Sequence, residues 1–232
     1  MSLRVEGLCA GYGELMVIRD VDIVVPALSV VAVLGSNGAG KTTLLRTIAG
    51  QLEARTGSIT LDGNDITRLA PTRRATAGLC LIPEGRGIFP SLTVAENIAM
   101  FVNGSHIAEA TDAVAQVLPA LADRLGQRAG TLSGGEQQML ALSRALITDP
   151  TTVLADELSV GLAPVIIDKI FDLVSELRAR GHSLLIVEQY VDRVLDIADW
   201  VYVLHRGQVV YVGEPAAAQA SGVFDRYLRG AA

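Results

Sequence analysis

The run Gly35-Ser36-Asn37-Gly38-Ala39-Gly40-Lys41-Thr42 constrains this chain more than any other feature. It fits G-x-x-x-x-G-K-S/T, and the pattern gains a mechanism from what flanks it. The apolar stretch Ser29 to Leu34 reads as a buried strand, and a helix is expected from about Lys41. In such a setting the glycines let backbone N–H groups curl around phosphates, and the helix N-terminus adds a partial positive charge of about half a unit. Lys41 is expected to reach the β and γ phosphates and Thr42 to ligate Mg²⁺, with Thr43 completing the nucleotide-binding set. Lys41 and Lys169 are the only lysines in the chain, so a lysine at the one required position is not background abundance. The loop implies an NTPase without separating ATPase, GTPase and kinase.

An acidic pair supplies the rest of that chemistry. Val153-Leu154-Ala155-Asp156-Glu157 reads as a short apolar strand ending in two carboxylates. That places them at the carboxyl edge of a sheet, where α/β folds bind ligands. Asp156 suits the Mg²⁺ shell. Glu157 suits the base that orients or deprotonates the attacking water, an effect worth roughly 10² to 10⁴ in rate. No N-K-x-D guanine motif occurs, which argues against a GTPase.

The surrounding pattern is that of one α/β domain. At 232 residues the chain can bury one sizeable core. Half of the residues are hydrophobic and the mean hydropathy is +0.40, as suits a parallel sheet covered on both faces. A membrane span is not expected, because the longest apolar stretch, Ile23 to Leu34, is interrupted by Pro26 and Ser29. Nor does Met1 to Glu6 read as a signal peptide, so a cytoplasmic location is expected. A net charge of −6 argues against nucleic acid as a main partner. Cys9 and Cys80 lie in apolar stretches and are expected to be buried free thiols. Leu3 to Leu8, Val17 to Val25, Ser58 to Leu61, Leu79 to Ile82, Thr152 to Ala155 and Leu184 to Val187 read as strands, and Trp200 to Val212 as a hairpin. Helical spacing recurs from Pro164 to Gly181. Between about Gly87 and Pro150 the patterns at Val94 to Phe101, Ile107 to Leu125 and Glu136 to Ile147 are helical, which predicts a helical insertion.

Leu132-Ser133-Gly134-Gly135-Glu136-Gln137-Gln138 opens a helix with a serine and two glycines, a second anion-binding helix terminus on the same chain. With this run the chain resembles the ABC ATPase family over nearly its whole length, with the motifs in the family's order. The resemblance implies an α/β fold: a P-loop NTPase (RecA-like) core with a parallel central sheet, an N-terminal antiparallel portion and an inserted helical subdomain at about 87–150, all within one ABC ATPase domain spanning 1–232. It implies that Ser133, Gly134, Gly135 and Glu136 face the γ-phosphate of nucleotide held by a partner subunit. Tyr12, in Gly11-Tyr12-Gly13, stands where the family stacks an aromatic ring on adenine, and Ser159-Val160-Gly161-Leu162 stands where a loop crosses the dimer interface. ATP and Mg²⁺ are thus the expected ligands.

Three positions depart from the family's usual pattern. Glu84 stands where a Mg²⁺-facing glutamine is usual, Leu158 where proline follows the catalytic glutamate, and Gln189 where a histidine senses the γ-phosphate. Glutamine can hydrogen-bond a phosphate but carries no proton at neutral pH. His106, His182 and His205 fall off the motif positions and are expected to be surface or packing residues. Pro83-Glu84-Gly85-Arg86, Ile88 to Asn97, Glu136 to Ala141, Gly161 to Pro164 and Val187-Glu188-Gln189 together are similar to ATPase subunits of bacterial branched-chain amino acid importers, where both the glutamate and the glutamine are familiar. That resemblance implies a second ATPase subunit, two transmembrane permeases, an external binding protein, and a peripheral position on the inner face of the cell membrane. Urea or short-amide importers, exporters, and a non-catalytic regulatory module are the competing readings. A soluble repair or translation ATPase would carry a coiled-coil insertion or tandem units, and this chain has neither.

Overall fold

The computed structural model describes residues 2–102, 106–189 and 191–228; residues 103–105, within the expected helical insertion, fall outside it. In chain order the elements are β1 (Leu3–Tyr12), β2 (Leu15–Val25), β3 (Val30–Leu34), α1 (Lys41–Ile48), β4 (Thr56–Leu61), β5 (Asn64–Asp65), α2 (Pro71–Thr76), β6 (Leu79–Ile82), α3 (Val94–Phe101) and α4 (Ile107–Val117). They continue with α5 (Pro119–Ala122), α6 (Gly134–Thr148), β7 (Thr152–Asp156), α7 (Pro164–Ala179), β8 (Ser183–Glu188), α8 (Val191–Leu195), β9 (Trp200–His205), β10 (Gln208–Gly213), α9 (Pro215–Ala220) and α10 (Val223–Tyr227).

Two sheets result. One is antiparallel, in the order β2-β1-β4-β5. The other runs β10-β9-β3-β8-β7-β6, parallel except for the edge strand β10. Every residue of β3, β7 and β8 is buried, because helices or the antiparallel sheet cover both faces of these central strands. The period of two sorts their side chains. Val31, Val33, Leu154, Leu185 and Val187 join a core with α1 and the antiparallel sheet. Val30, Ala32, Leu34, Val153, Ala155, Leu184 and Ile186 join a core with α3, α4, α6 and α7. Parallel strands end together at their carboxyl edge: Leu34 is level with Glu188, and Asp156 with Val187.

The helical insertion between β6 and β7 is present as expected, with one correction. The helix predicted over Ile107 to Leu125 stops at Val117, and Pro119 starts the short α5, because proline has no N–H to continue the ladder. The third helix of the insertion begins at Gly134, two residues before the predicted start, where Ser133 and Glu136 form a capping box. Cys80 is buried as predicted, whereas Cys9 is only half-buried, with its sulfur accepting the Asp20 N–H. His106 is exposed, His182 is buried with Nδ1 2.7 Å from the Pro150 carbonyl, and His205 packs on Tyr227.

Candidate nucleotide-binding and catalytic site

The phosphate loop springs from β3 and enters α1 as the sequence predicts. Gly40 makes the turn at φ 107°, where a side chain would be strained and where a Cβ would lie 2.9 Å from Ile18. The Lys41 side chain is 4% exposed and folds back over the loop. Its ammonium donates to the carbonyls of Gly35 (2.8 Å) and Ser36 (3.3 Å) and pairs with Glu157 Oε1 at 3.1 Å. Thr42 Oγ1 donates to Asp156 Oδ1 at 3.3 Å. A cleft of about 470 Å³ is lined by Asn37, Gly38, Gly40, Lys41, Thr42, Thr43, Glu84, Glu157 and Gln189, together with Val17 and Val160. The loop after β3, the acidic pair after β7 and the residue after β8 therefore meet in one place, because their strands end in register.

Carboxylates crowd the floor of the cleft. Burial pushes the Asp156 carboxyl up to about 6; the Thr42 hydrogen bond opposes the rise, and the charges of Glu157 and Glu84 add to it. A hydroxyl and a carboxylate side by side, with two further acids near, suit Mg²⁺, which takes one or two carboxylates and fills its shell with phosphate and water. Among the described residues no group of three or more His, Cys, Asp or Glu could hold a metal ion.

Glu157 has φ 49°, a left-handed conformation unusual for a glutamate, and its N–H donates to the Val187 carbonyl at 2.9 Å. Leu158 permits this: a proline there would disfavour the α regions for the residue before it. The Leu158 side chain is instead buried in the helical-side core. Thus this departure from the family pattern has a local structural counterpart.

Of the predicted residues, Gly35, Ser36, Ala39 and Asp156 lie behind the lining of the cleft, Asp156 bonded to Thr42, and two further groups stand apart from it. Tyr12 ends β1 and is 44% exposed. Ser133, Gly134, Gly135 and Glu136 open α6 elsewhere on the same chain. Ser133 Oγ accepts the Glu136 N–H while the Glu136 carboxylate accepts the Ser133 N–H and pairs with Arg124 at 3.0 Å. The side-chain and backbone hydrogen bonds of Ser133 hold that carboxyl below its usual range. Glu136 is thus committed to the cap. Gly135 is required by packing, since a Cβ there would lie 2.4 Å from Ile166 Cγ2 of α7.

One buried acid had no role assigned from sequence. Glu188, the last residue of β8, is fully buried and accepts both the N–H (3.1 Å) and the hydroxyl (2.7 Å) of Ser159. Its signal was a lone charge ending the apolar run Leu184 to Val187.

Comparison with known proteins agrees with this geometry. Residues 18–160 match the family model described as ABC transporter. The chain is 41% identical to the high-affinity branched-chain amino acid transport ATP-binding protein BraG of Pseudomonas aeruginosa, over 94% of this chain and 96% of that one. It is 39% identical to a probable branched-chain amino acid transport ATP-binding protein, LivF, of Archaeoglobus fulgidus, over 91% of each. The lipopolysaccharide export system ATP-binding protein LptB of Haemophilus influenzae is 32% identical over 92% of this chain and 90% of its own. Among solved structures, a nucleotide-free ATP-binding cassette from an ABC transporter superposes with a TM-score of 0.87 at 29% identity, covering 98% and 97% of the two chains. With its phosphate loop, acidic pair and second capped helix terminus in place, the chain belongs to the ABC transporter family as an ATP-binding cassette with ATPase activity.

Proposed function

We propose that this chain powers a bacterial importer of branched-chain amino acids, working as one of two ATPase subunits beneath two transmembrane permeases that receive solute from an external binding protein. The observation that carries the catalytic part is the Lys41–Glu157 pair beside Thr42 and Asp156, four groups brought together from two strand ends. In this reading Gly35, Ser36, Asn37, Gly38, Ala39, Gly40 and Thr43 hold the phosphates through the loop, and Lys41 leaves Glu157 for the β and γ phosphates. Thr42, Asp156 and Glu84 hold Mg²⁺, which would neutralise charge on the phosphates. Once released from Lys41, Glu157 orients the attacking water and takes its proton, and Gln189 donates a hydrogen bond to the γ-phosphate. Tyr12 stacks on the adenine.

Ser133 and the α6 terminus lie outside the cleft of their own chain, which supports their serving a nucleotide bound to a second ATPase subunit. The domain spans 1–232, with the helical subdomain at about 87–150. No helix among the described residues is long and apolar enough to cross a membrane. Attachment to the inner face of the membrane is therefore assigned to the permeases.

The substrate class rests on BraG and LivF, and the likeness to LptB favours lipopolysaccharide export as the second reading. Reconstitution in vesicles with two permeases and a second ATPase tests the substrate assignment. Hydrolysis stimulated by binding protein loaded with leucine, isoleucine or valine is the expected result. Stimulation by urea or a short amide instead, or by none of these, overturns the substrate assignment.

A further inference from the structure

We infer that Glu188 is a positioning residue for hydrolysis: by clamping Ser159 it fixes the turn that presents Glu157 to the phosphate loop, and it anchors the base of Gln189. The inference rests on the reading of Glu157 as the catalytic carboxylate.

The geometry forms a closed circuit. Glu188 is level with Leu34, the residue before the phosphate loop, so it sits at the root of the cleft without lining it. Both of its carboxyl oxygens are taken by Ser159, two residues after Glu157. Glu157 in turn is tied to the strand of Glu188 through the Val187 carbonyl. The left-handed Glu157 is therefore held on both sides, by its own N–H and by Ser159. Gln189 is exposed at the cleft and follows directly on the buried end of β8.

Packing alone does not call for an acid here. The other residues of β8 before this point are Ser183, Leu184, Leu185, Ile186 and Val187, and an apolar residue at 188 would avoid burying a carboxyl but would leave the buried Ser159 N–H and hydroxyl without this acceptor. The carboxyl is instead buried beside another acid: burial pushes it up to about 7, Ser159 opposes the rise and the charge of Glu157 adds to it. A buried acid that weakens the fold yet holds the catalytic turn is explained by the turn.

The test compares full-length Glu188→Ala, Glu188→Gln, Ser159→Ala and Glu157→Gln with the parent, reading phosphate release against ATP concentration, ATP affinity by titration, and melting temperature. Glu188→Ala and Ser159→Ala are expected to lower kcat by about 10- to 100-fold, as a displaced catalytic group does, with KM and ATP affinity within about threefold and no additivity when the two are combined in one Glu188→Ala/Ser159→Ala chain. Glu188→Gln keeps an acceptor for the Ser159 N–H and is expected to recover much of the loss. If Glu188→Ala does not fold, Glu188→Gln and Ser159→Ala decide alone: Ser159→Ala must lose kcat while Glu188→Gln retains most of it. Parental kcat in Ser159→Ala, or a loss of ATP affinity matching the loss of kcat, overturns the inference. Glu157→Gln separates the two levels: if it hydrolyses ATP like the parent, the catalytic reading itself fails, whereas an inactive Glu157→Gln beside a fully active Glu188→Ala removes only the role of Glu188.

Discussion

Lys41 holds three partners at once: two carbonyls of its own loop and the Glu157 carboxylate. In the proposed mechanism phosphate competes with that carboxylate for the ammonium, which couples nucleotide binding at Lys41 to the release of Glu157. Glu157→Gln should therefore lower phosphate release by roughly 10²-fold or more while ATP affinity, measured by titration, holds or rises. Lys41→Ala should lose ATP binding itself, and unchanged affinity would count against the phosphate-loop assignment. At Glu188 the coupling is to pH. Its folded pKa, raised from 4.5 to about 7, lies above the unfolded value, so the fold favours the protonated form. That contribution is complete below about pH 4.5 and is lost as pH rises through about 7. Glu188→Gln cannot ionise, so its stability relative to the parent should rise between pH 5 and 8, by roughly 2 to 3 kcal/mol at most. Denaturant titrations at the two pH values read the difference; a constant gap between parent and variant would contradict an acid whose burial outweighs its bonds to Ser159.

At the scale of elements, what was legible in the sequence follows from how local the physics is. The strand-loop-helix unit around Gly40 was readable because the glycines, lysine and threonine each have a required place within eight residues. Buried β3, β7 and β8 were readable as apolar runs. The break at Pro119 was legible in principle, but the apolar spacing on both sides of it suggested one continuous helix. The helices α2, α8, α9 and α10 have six residues or fewer, too short for a helical period to emerge, and tertiary contacts fix them. The Glu188–Ser159 pair was hidden because its partners lie 29 residues apart and meet only through β8 lying beside β7. The α6 terminus offers a test of packing at this scale. Gly135→Ala should destabilise the chain by about 1 to 3 kcal/mol through overlap with Ile166, and Ser133→Ala by about 1 kcal/mol through loss of the cap. Gly126→Ala meets nothing within 4 Å and should change stability by under about 0.5 kcal/mol. Thermal melts of the three variants check this, and equal losses at all three would show that α6 is not held by these contacts.

At the scale of the molecule, one cleft gathers the phosphate loop, Glu157, Glu84 and Gln189, while the capped N-terminus of α6 lies outside it. In the proposed function such a chain carries two half-sites, and pairing with a second ATPase subunit would complete both. In Glu157→Gln, ATP should therefore hold two ATPase subunits together, visible as a larger species in size-exclusion chromatography that disappears when ATP is removed. The most direct test of the account is phosphate release from ATP by the purified chain, alone and then with its second ATPase and permeases, each with parent and Glu157→Gln. Hydrolysis by the parent is expected to rise in the complex, with the contribution of this chain's own site lost in Glu157→Gln. Hydrolysis by the variant at the parental rate, or none by the parent in either setting with ATP binding intact, would contradict it.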